Sequence, residues 1–177
     1  MRSFPRLATI ALALAPIAAQ AAEPPCLTLA EFTALSSYAL PSIITGTTDR
    51  CAASLPANAW LKRNGNQLAA RYTTGKSRAW PAAKTAFLKL AGNGANNDAA
   101  GLIKGLPDSS QQQMADAFIS GLVGQQLPTE RCSVIDQLVR LLAPLPPENT
   151  AELIAVAAGL GARTGRARIG NFSICQA

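Results

Sequence analysis

The chain has 177 residues with 16 Lys or Arg, 10 Asp or Glu and no His, for a formal net charge of +6. The absence of histidine excludes Ser-His-Asp and Cys-His hydrolases, H-E-x-x-H metalloproteases and histidine-ligated haem. Aromatic residues make up only 5% of the chain, so the core is expected to be aliphatic and Ala-rich, which favours packed helices over a β-sandwich.

The amino terminus has the pattern of a secretory signal peptide. Arg2 and Arg6 form a positive start, residues 7–15 (LATIALALA) form an apolar stretch, and residues 19–21 (AQA) supply a small-x-small cleavage pattern. The apolar stretch is shorter than the roughly 20 residues that a membrane-spanning helix needs. We therefore expect residues 1–21 to be removed, leaving a soluble, periplasmic or secreted domain of residues 22–177.

The mature chain is only mildly basic. Loss of Arg2 and Arg6 with the leader leaves 14 basic residues against 10 acidic, a net charge of +4. This charge is too small to indicate a dedicated nucleic-acid-binding protein, and no nucleic-acid partner is expected. It fits weak attraction to an anionic envelope polymer or to an acidic protein.

The mature chain keeps four cysteines, at positions 26, 51, 132 and 175. An even number in an oxidising compartment predicts two disulfides. Zinc sites use closely spaced cysteines or histidines, and reactive thiols use a histidine base or a C-x-x-C pair. Neither pattern occurs here, so no metal and no cofactor are expected.

The sequence leaves three possible disulfide connectivities. Two antiparallel helices after Cys132 would return the chain to it, so we favour Cys132 with Cys175, and consequently Cys26 with Cys51. The second pair requires the chain to turn back near Pro41. A straight helix would separate Cys26 from Cys51 by more than about 20 Å, whereas a disulfide needs Cα atoms about 5.5 Å apart.

The first predicted helix begins after Thr28, because Thr28 and Glu31 have the spacing of a capping box. Pro41 is expected to kink or end this helix. Residues 46–49 are predicted to form a loop, and residues 51–58 to be irregular. The apolar positions that indicate the helix are Leu29, Phe32, Leu35, Ala39 and Leu40.

The next predicted elements lie between residues 60 and 91. A short turn is expected at residues 60–61, closed by Asn64 and Gly65. A longer helical stretch follows from Asn66, bent or divided where Gly75 and Pro81 weaken it. Residues 92–97 (GNGANN) are the clearest loop in the sequence.

Three Leu-Pro dipeptides, beginning at residues 106, 127 and 145, each precede an apolar helical run. Proline is favoured in the first turn of a helix, so three helices with short loops are predicted, and we expect them to pack as antiparallel neighbours. The last segment, residues 163–177, is predicted to dock on the body through Ile169, Phe172 and Ile174, pinned by Cys175.

The stretch from Trp60 to Lys84 is the best candidate for a binding surface. Cations beside aromatic rings suit glycan, nucleic acid or anionic lipid. The alternative is that the aromatic rings face the core and the cations face water. The residues are Trp60, Lys62, Arg63, Arg71, Tyr72, Lys76, Arg78, Trp80 and Lys84. A smaller basic cluster, Arg163, Arg166 and Arg168, lies on the tail. The preference of a helix carboxyl end for positive charge is an equally strong explanation for Arg163 and a weaker one for the other two.

Recognisable catalytic motifs are missing. Residues 75–77 (GKS) resemble the end of a phosphate-binding loop, but Ala70 stands at the leading glycine position. No serine has a lysine three residues later, and no G-x-S-x-G occurs. Half of the ten acidic residues are predicted to sit at helix caps or first turns, namely Glu31, Asp108, Glu130, Glu148 and Glu152. The least explained are Asp116 and Asp136, which leave open an enzyme that acts through a lone acid.

Taken together, these patterns predict an all-α, single-domain helical bundle of about five to seven short helices with two disulfides. The leading functional hypothesis is an exported, non-catalytic protein that binds an envelope protein or an anionic envelope surface. One alternative is an enzyme that cleaves cell-wall glycan through a lone acid. The other is a carrier of a small apolar ligand, with a cavity between its helices.

Overall fold

The computed structural model describes residues 26–92, 98–163, 168–169 and 172–175. The predicted signal peptide, most of the predicted loop at residues 92–97, and Arg166 lie outside these residues. The described part is a helical domain with seven α-helices and a two-residue antiparallel strand pair. Its elements are α1 (Leu29–Cys51), α2 (Trp60–Thr73), α3 (Lys76–Gly92), α4 (Asp98–Lys104), α5 (Asp108–Gln126), α6 (Cys132–Leu142), α7 (Pro147–Arg163), β1 (Arg168–Ile169) and β2 (Phe172–Ser173).

The start of α1 is set by the capping box that the sequence predicts. The Glu31 amide donates to Oγ1 of Thr28 at 3.2 Å, and the Thr28 amide donates to Oε2 of Glu31 at 2.9 Å. Nζ of Lys89 on α3 lies 2.6 Å from Oε1 of the same carboxylate. The hydrogen bond from Lys89 holds the pKa of Glu31 below its ordinary value, against the opposing effect of burial. Glu31 thus joins the first turn of α1 to α3.

Helix α1 is longer than the sequence predicts, because it continues through Pro41 and through the predicted loop at residues 46–49. Contacts with other helices compensate for the low helix propensity of these residues. Pro41, Ile44 and Thr47 are buried. A β-carbon at Gly46 would lie 3.3 Å from Cγ1 of Val123, so glycine allows α5 to approach closely. The result is one central helix of 23 residues.

The predicted disulfide pairing, Cys26 with Cys51 and Cys132 with Cys175, is wrong, and the length of α1 gives the reason. A helix of 23 residues holds its ends about 34 Å apart, so Cys26 and Cys51 cannot meet. The bonds are instead Cys26–Cys175, with Cα atoms 5.0 Å apart, and Cys51–Cys132, with Cα atoms 5.6 Å apart. Each bond therefore joins one end of α1 to a distant part of the chain.

Helix α2 starts at Trp60 and continues through Asn64 and Gly65, where the sequence predicts a break. The division between α2 and α3 falls at Thr74 and Gly75, and Pro81 lies within α3. No side chain of its own caps α2. Oδ1 of Asp136 on α6 accepts from the Leu61 amide at 2.6 Å instead. This long-range cap accounts for one of the two acids that the sequence leaves unexplained.

The three predicted helices after the Leu-Pro dipeptides are present as α5, α6 and α7, with a short 3₁₀ turn (Thr129–Arg131) before α6. The prediction that they pack mainly on one another is wrong. Helices α5 and α7 pack on α1, and α6 packs on α2. The long central helix offers a continuous apolar surface, so its neighbours gather around it rather than pairing in chain order.

The α1–α2 crossing supplies a test of this packing. A β-carbon at Gly65 would clash with Oγ1 of Thr48 and lie 3.3 Å from its Cγ2. Oγ1 is already held by a 2.8 Å bond to the Ile44 carbonyl. We expect Gly65→Ala to lower the free energy of unfolding by about 1–2 kcal/mol, although alanine is the better helix former.

The matched control is Gly121→Ala in α5, where a β-carbon would meet no described atom within 4 Å. At this position only helix propensity changes, so we expect the free energy of unfolding to rise by about 0.5–1 kcal/mol. Urea unfolding followed by circular dichroism measures both effects. If Gly65→Ala raised the free energy of unfolding as much as Gly121→Ala, close packing of α1 on α2 at Gly65 would be contradicted.

Candidate functional site

A continuous apolar groove runs along α1 between α5 and α7. From α1 it takes Phe32, Leu35, Ser36, Ala39, Ile43 and Thr47, whose spacing of three to four residues places them on one face of the helix. From α5 it takes Phe118, Ile119, Leu122, Val123 and Gln126, again one helical stripe, followed by Leu127. Phe87 and Leu90 of α3 and Ile154 of α7 complete the walls.

The groove has a volume of about 410 Å³, which is within the range of roughly 300–1,000 Å³ typical of small-molecule sites. Its polar lining residues among those the structure describes are Ser36, Thr47, Gln126 and Ser173, and none of the described lining side chains is charged. Such a surface can exclude water from an apolar ligand. Its described lining offers no acid or base for proton transfer.

The carboxyl-terminal tail closes one end of the groove. The Leu27 amide donates to the Ser173 carbonyl at 3.0 Å, and the Cys175 amide donates to the Leu27 carbonyl at 2.9 Å. Leu27 and Ile174 are buried and both line the groove. The Cys26–Cys175 bond holds this end together. Closure by the tail therefore depends on two segments that are 149 residues apart in sequence.

The aromatic residues of the predicted binding stretch lie mostly in the core. Tyr72 is buried, and its hydroxyl lies 3.1 Å from both the Leu145 carbonyl and Oγ1 of Thr150. Trp80 is buried, with its ring centroid 4.9 Å from that of Tyr38. Only Trp60 is half-exposed. Tyr72 and Trp80 therefore present no ring face on which a ligand could stack.

Most cations of the same stretch have partners within the protein. Three of them form ion pairs: Lys76 with Asp116, Arg78 with Glu148, and Lys84 with Asp108. Two others donate to backbone carbonyls: Lys62 to Leu55, and Arg71 to Ala143. Arg63 is exposed. The stretch thus does not form a single face of cations and aromatic rings, and binding to an envelope partner there stays a prediction.

Trp60 and Arg71 both line a second depression. Asn64 and Gln67 of α2 and Ala143 also line it. Its walls belong to α2 and to the turn after α6. In the second basic cluster, Arg166 and the side chains of Arg163 and Arg168 lie outside the described part of the structure.

Asp116, the other acid that the sequence leaves unexplained, is engaged in a polar cluster. Its carboxylate lies 2.6 Å from Nζ of Lys76 and accepts from Oγ of Ser42 at 3.1 Å. Nζ of Lys76 also lies 4.7 Å from the ring centroid of Tyr38. Burial first, and the charge of Asp116 second, raise the pKa of Tyr38 far above its ordinary value. The cluster joins α1, α3 and α5 and lies apart from the lining of the groove.

The groove itself was not identified from the sequence. One signal was present: the α1 stripe contains small and polar members, Ser36, Ala39 and Thr47, where a packed core would have larger aliphatic residues. The walls contributed by α5, α7 and the tail cannot be recognised without knowing which helices meet. Sequence periodicity identifies an apolar face but not whether another helix covers it.

Comparison with known proteins found no relative. No family model, no curated protein and no solved structure matches this chain. Function must therefore be inferred from the residues that form the groove and from their surroundings.

Proposed function

We propose that this protein is an exported, non-catalytic carrier that binds a small apolar ligand in the groove along α1. The observation that carries the proposal is a concave site of about 410 Å³ whose described lining contains four polar residues and no charged one. Burial of apolar ligand surface in such a site is favourable by about 25 cal/mol per Å². The polar residues are too few and too scattered to indicate a reaction centre.

Export to the periplasm or beyond fits the covalent structure. Both disulfides are formed within the described residues, and bonds of this kind persist in oxidising compartments. None of the described helices has the length and hydropathy to cross a membrane. The secretory pattern of residues 1–21 is the remaining support for this location.

The test uses the neutral fluorescent probe N-phenyl-1-naphthylamine, which brightens in apolar sites. Leu122 lines the groove on α5, and glutamine there keeps the length and helix preference of leucine. An amide buried against the ligand without a partner should weaken probe binding about tenfold. Fluorescence titration of the mature protein with and without Leu122→Gln measures this change.

The matched control is Leu141→Gln on α6, a leucine that is 70% exposed and does not line the groove. We expect it to leave probe affinity unchanged. Equal weakening by both variants would show that the probe binds exposed apolar surface in general. Failure of the unaltered protein to bind the probe would overturn the proposed function.

A second candidate function, binding of an envelope protein, is favoured by the outer faces of α6 and α7. Val134, Leu138 and Leu141 form an exposed apolar stripe on α6, and Leu153, Val156 and Leu160 form another on α7. Exposed apolar surface of this extent is typical of interaction sites. Under this alternative, Arg71, Arg78 and Lys84 would serve an acidic partner.

Affinity capture from envelope extract separates the two functions. A partner that is lost on charge reversal at Arg71, Arg78 and Lys84, but kept by Leu122→Gln, would favour protein binding. Retention of every captured protein after charge reversal would remove the basic surface from consideration.

A further inference from the structure

The two ends of the groove differ in how they are closed. At one end Leu27, Phe32 and Ile174 are buried, Ser36 and Ser173 are the polar lining residues, and the tail closes the site. At the other end the lining changes to Thr47 and Gln126, followed by Leu127. The distance along α1 from Phe32 to Thr47 is about 22 Å. The groove is therefore an elongated site with one end closed by the tail and an opposite end that carries Thr47 and Gln126, which we call the polar end.

Arg50 extends the α1 stripe beyond the polar end. It follows Thr47 by three residues, so it lies on the same face of α1 as the groove lining. Its Nε donates to the Leu127 carbonyl at 3.3 Å, which holds the guanidinium against the end of α5. Leu127 itself lines the groove. The exposed side chain of Arg50 thus lies beside the polar end of the groove, which forms the mouth of the site, and outside its described lining.

The guanidinium of Arg50 has capacity to bind an anion. Of its five N–H groups, the bond to Leu127 uses one, and no described acidic side chain lies within ion-pair distance of it. The two Nη groups can bind the two oxygens of a carboxylate together, which is the strongest arrangement available to arginine.

The carboxyl ends of α1 and α5 lie near the same mouth and oppose an anion there. Their partial negative charge falls off within the last turn and is weaker than a bidentate ion pair with a full cation. Arg50 already offsets part of it by binding the Leu127 carbonyl. The attraction of the Arg50 cation therefore outweighs the repulsion by the two helix ends for a carboxylate that contacts Arg50 directly.

We propose, building on the carrier function above, that the ligand is a long-chain fatty acid. Its carboxylate would bind Arg50 beside Thr47 and Gln126, and its single chain would lie along α1 toward Leu27 and Ile174. The elongated shape accommodates one chain. The described lining has no charged residue, which suits an acyl tail, and the cation beside the mouth suits the acid rather than a neutral head group.

The experiment measures displacement of the neutral probe by laurate and by lauryl alcohol, which share one chain and differ in the head group. The unaltered protein should bind laurate about tenfold more tightly than the alcohol. Arg50→Met, which keeps the aliphatic stem and removes the cation, should reduce laurate affinity to that of the alcohol and leave alcohol affinity unchanged. Arg63→Met, at an exposed arginine on α2, is the matched control and should change neither affinity.

Three results would overturn the fatty-acid proposal. These are equal affinities of the unaltered protein for acid and alcohol, equal weakening of both by Arg50→Met, and displacement by lauroyl lysophosphatidylcholine but not by laurate. In each of these cases the probe still binds, so the carrier function survives. Absence of probe binding is the separate result that refutes the carrier function itself.

Discussion

Replacement of Cys51 and Cys132 together by alanine is expected to lower the free energy of unfolding by about 4 kcal/mol. The bond closes a loop between cysteines 81 residues apart, and its removal gives the unfolded chain the corresponding freedom. Both cysteines are buried in a cluster with Leu55, Ala59 and Leu61, so the variant also loses packed volume. A change of this size should lower Tm by roughly 10 °C in a domain of about 150 residues.

The Cys26–Cys175 bond provides the comparison. It closes a longer loop, of 149 residues, yet we expect Cys26→Ala with Cys175→Ala to cost less, about 2 kcal/mol. Without this bond the tail can detach while the rest of the domain stays folded, so the native state also gains freedom. Urea unfolding followed by circular dichroism gives both values. A larger loss for the Cys26–Cys175 variant would show that the tail is part of the cooperative core.

Replacement of Asp116 by leucine is expected to lower the free energy of unfolding by about 2 kcal/mol. Lys76 has only 19% of its side chain exposed and would lose its carboxylate partner. Oγ of Ser42 would lose its acceptor as well. The cation would keep only its contact with the ring of Tyr38, which does not replace an ion pair at this burial.

The double variant Lys76→Met with Asp116→Leu tests the cause. Removal of both partners leaves no uncompensated charge, so we expect stability to return to within about 1 kcal/mol of the unaltered protein. Glu148→Gln is the surface control, because the Arg78–Glu148 pair spans 3.6 Å with 82% of Arg78 exposed; its loss should cost less than about 0.5 kcal/mol. A double variant no more stable than Asp116→Leu would contradict an effect of the unpaired cation.

The helical class and several helix starts follow from local sequence. Thr28 and Glu31 set the start of α1 through contacts three residues apart. The Leu-Pro dipeptides precede α5, the turn before α6, and α7 because proline fits the first turn of a helix. These signals act over a few residues, so they can be recognised without any knowledge of the fold. The presence of two disulfides also follows from the sequence, because an even number of cysteines after a predicted secretory signal favours paired sulfurs.

The sequence alone did not determine where α1 ends, which cysteines pair or where the groove lies. Continuation of α1 past Pro41 and Gly46 depends on burial against other helices, and that continuation in turn places Cys51 beside Cys132. The groove combines α1, α3, α5, α7 and the tail. Each of these features depends on contacts between segments far apart in the chain, and local propensity carries no information about which segments meet.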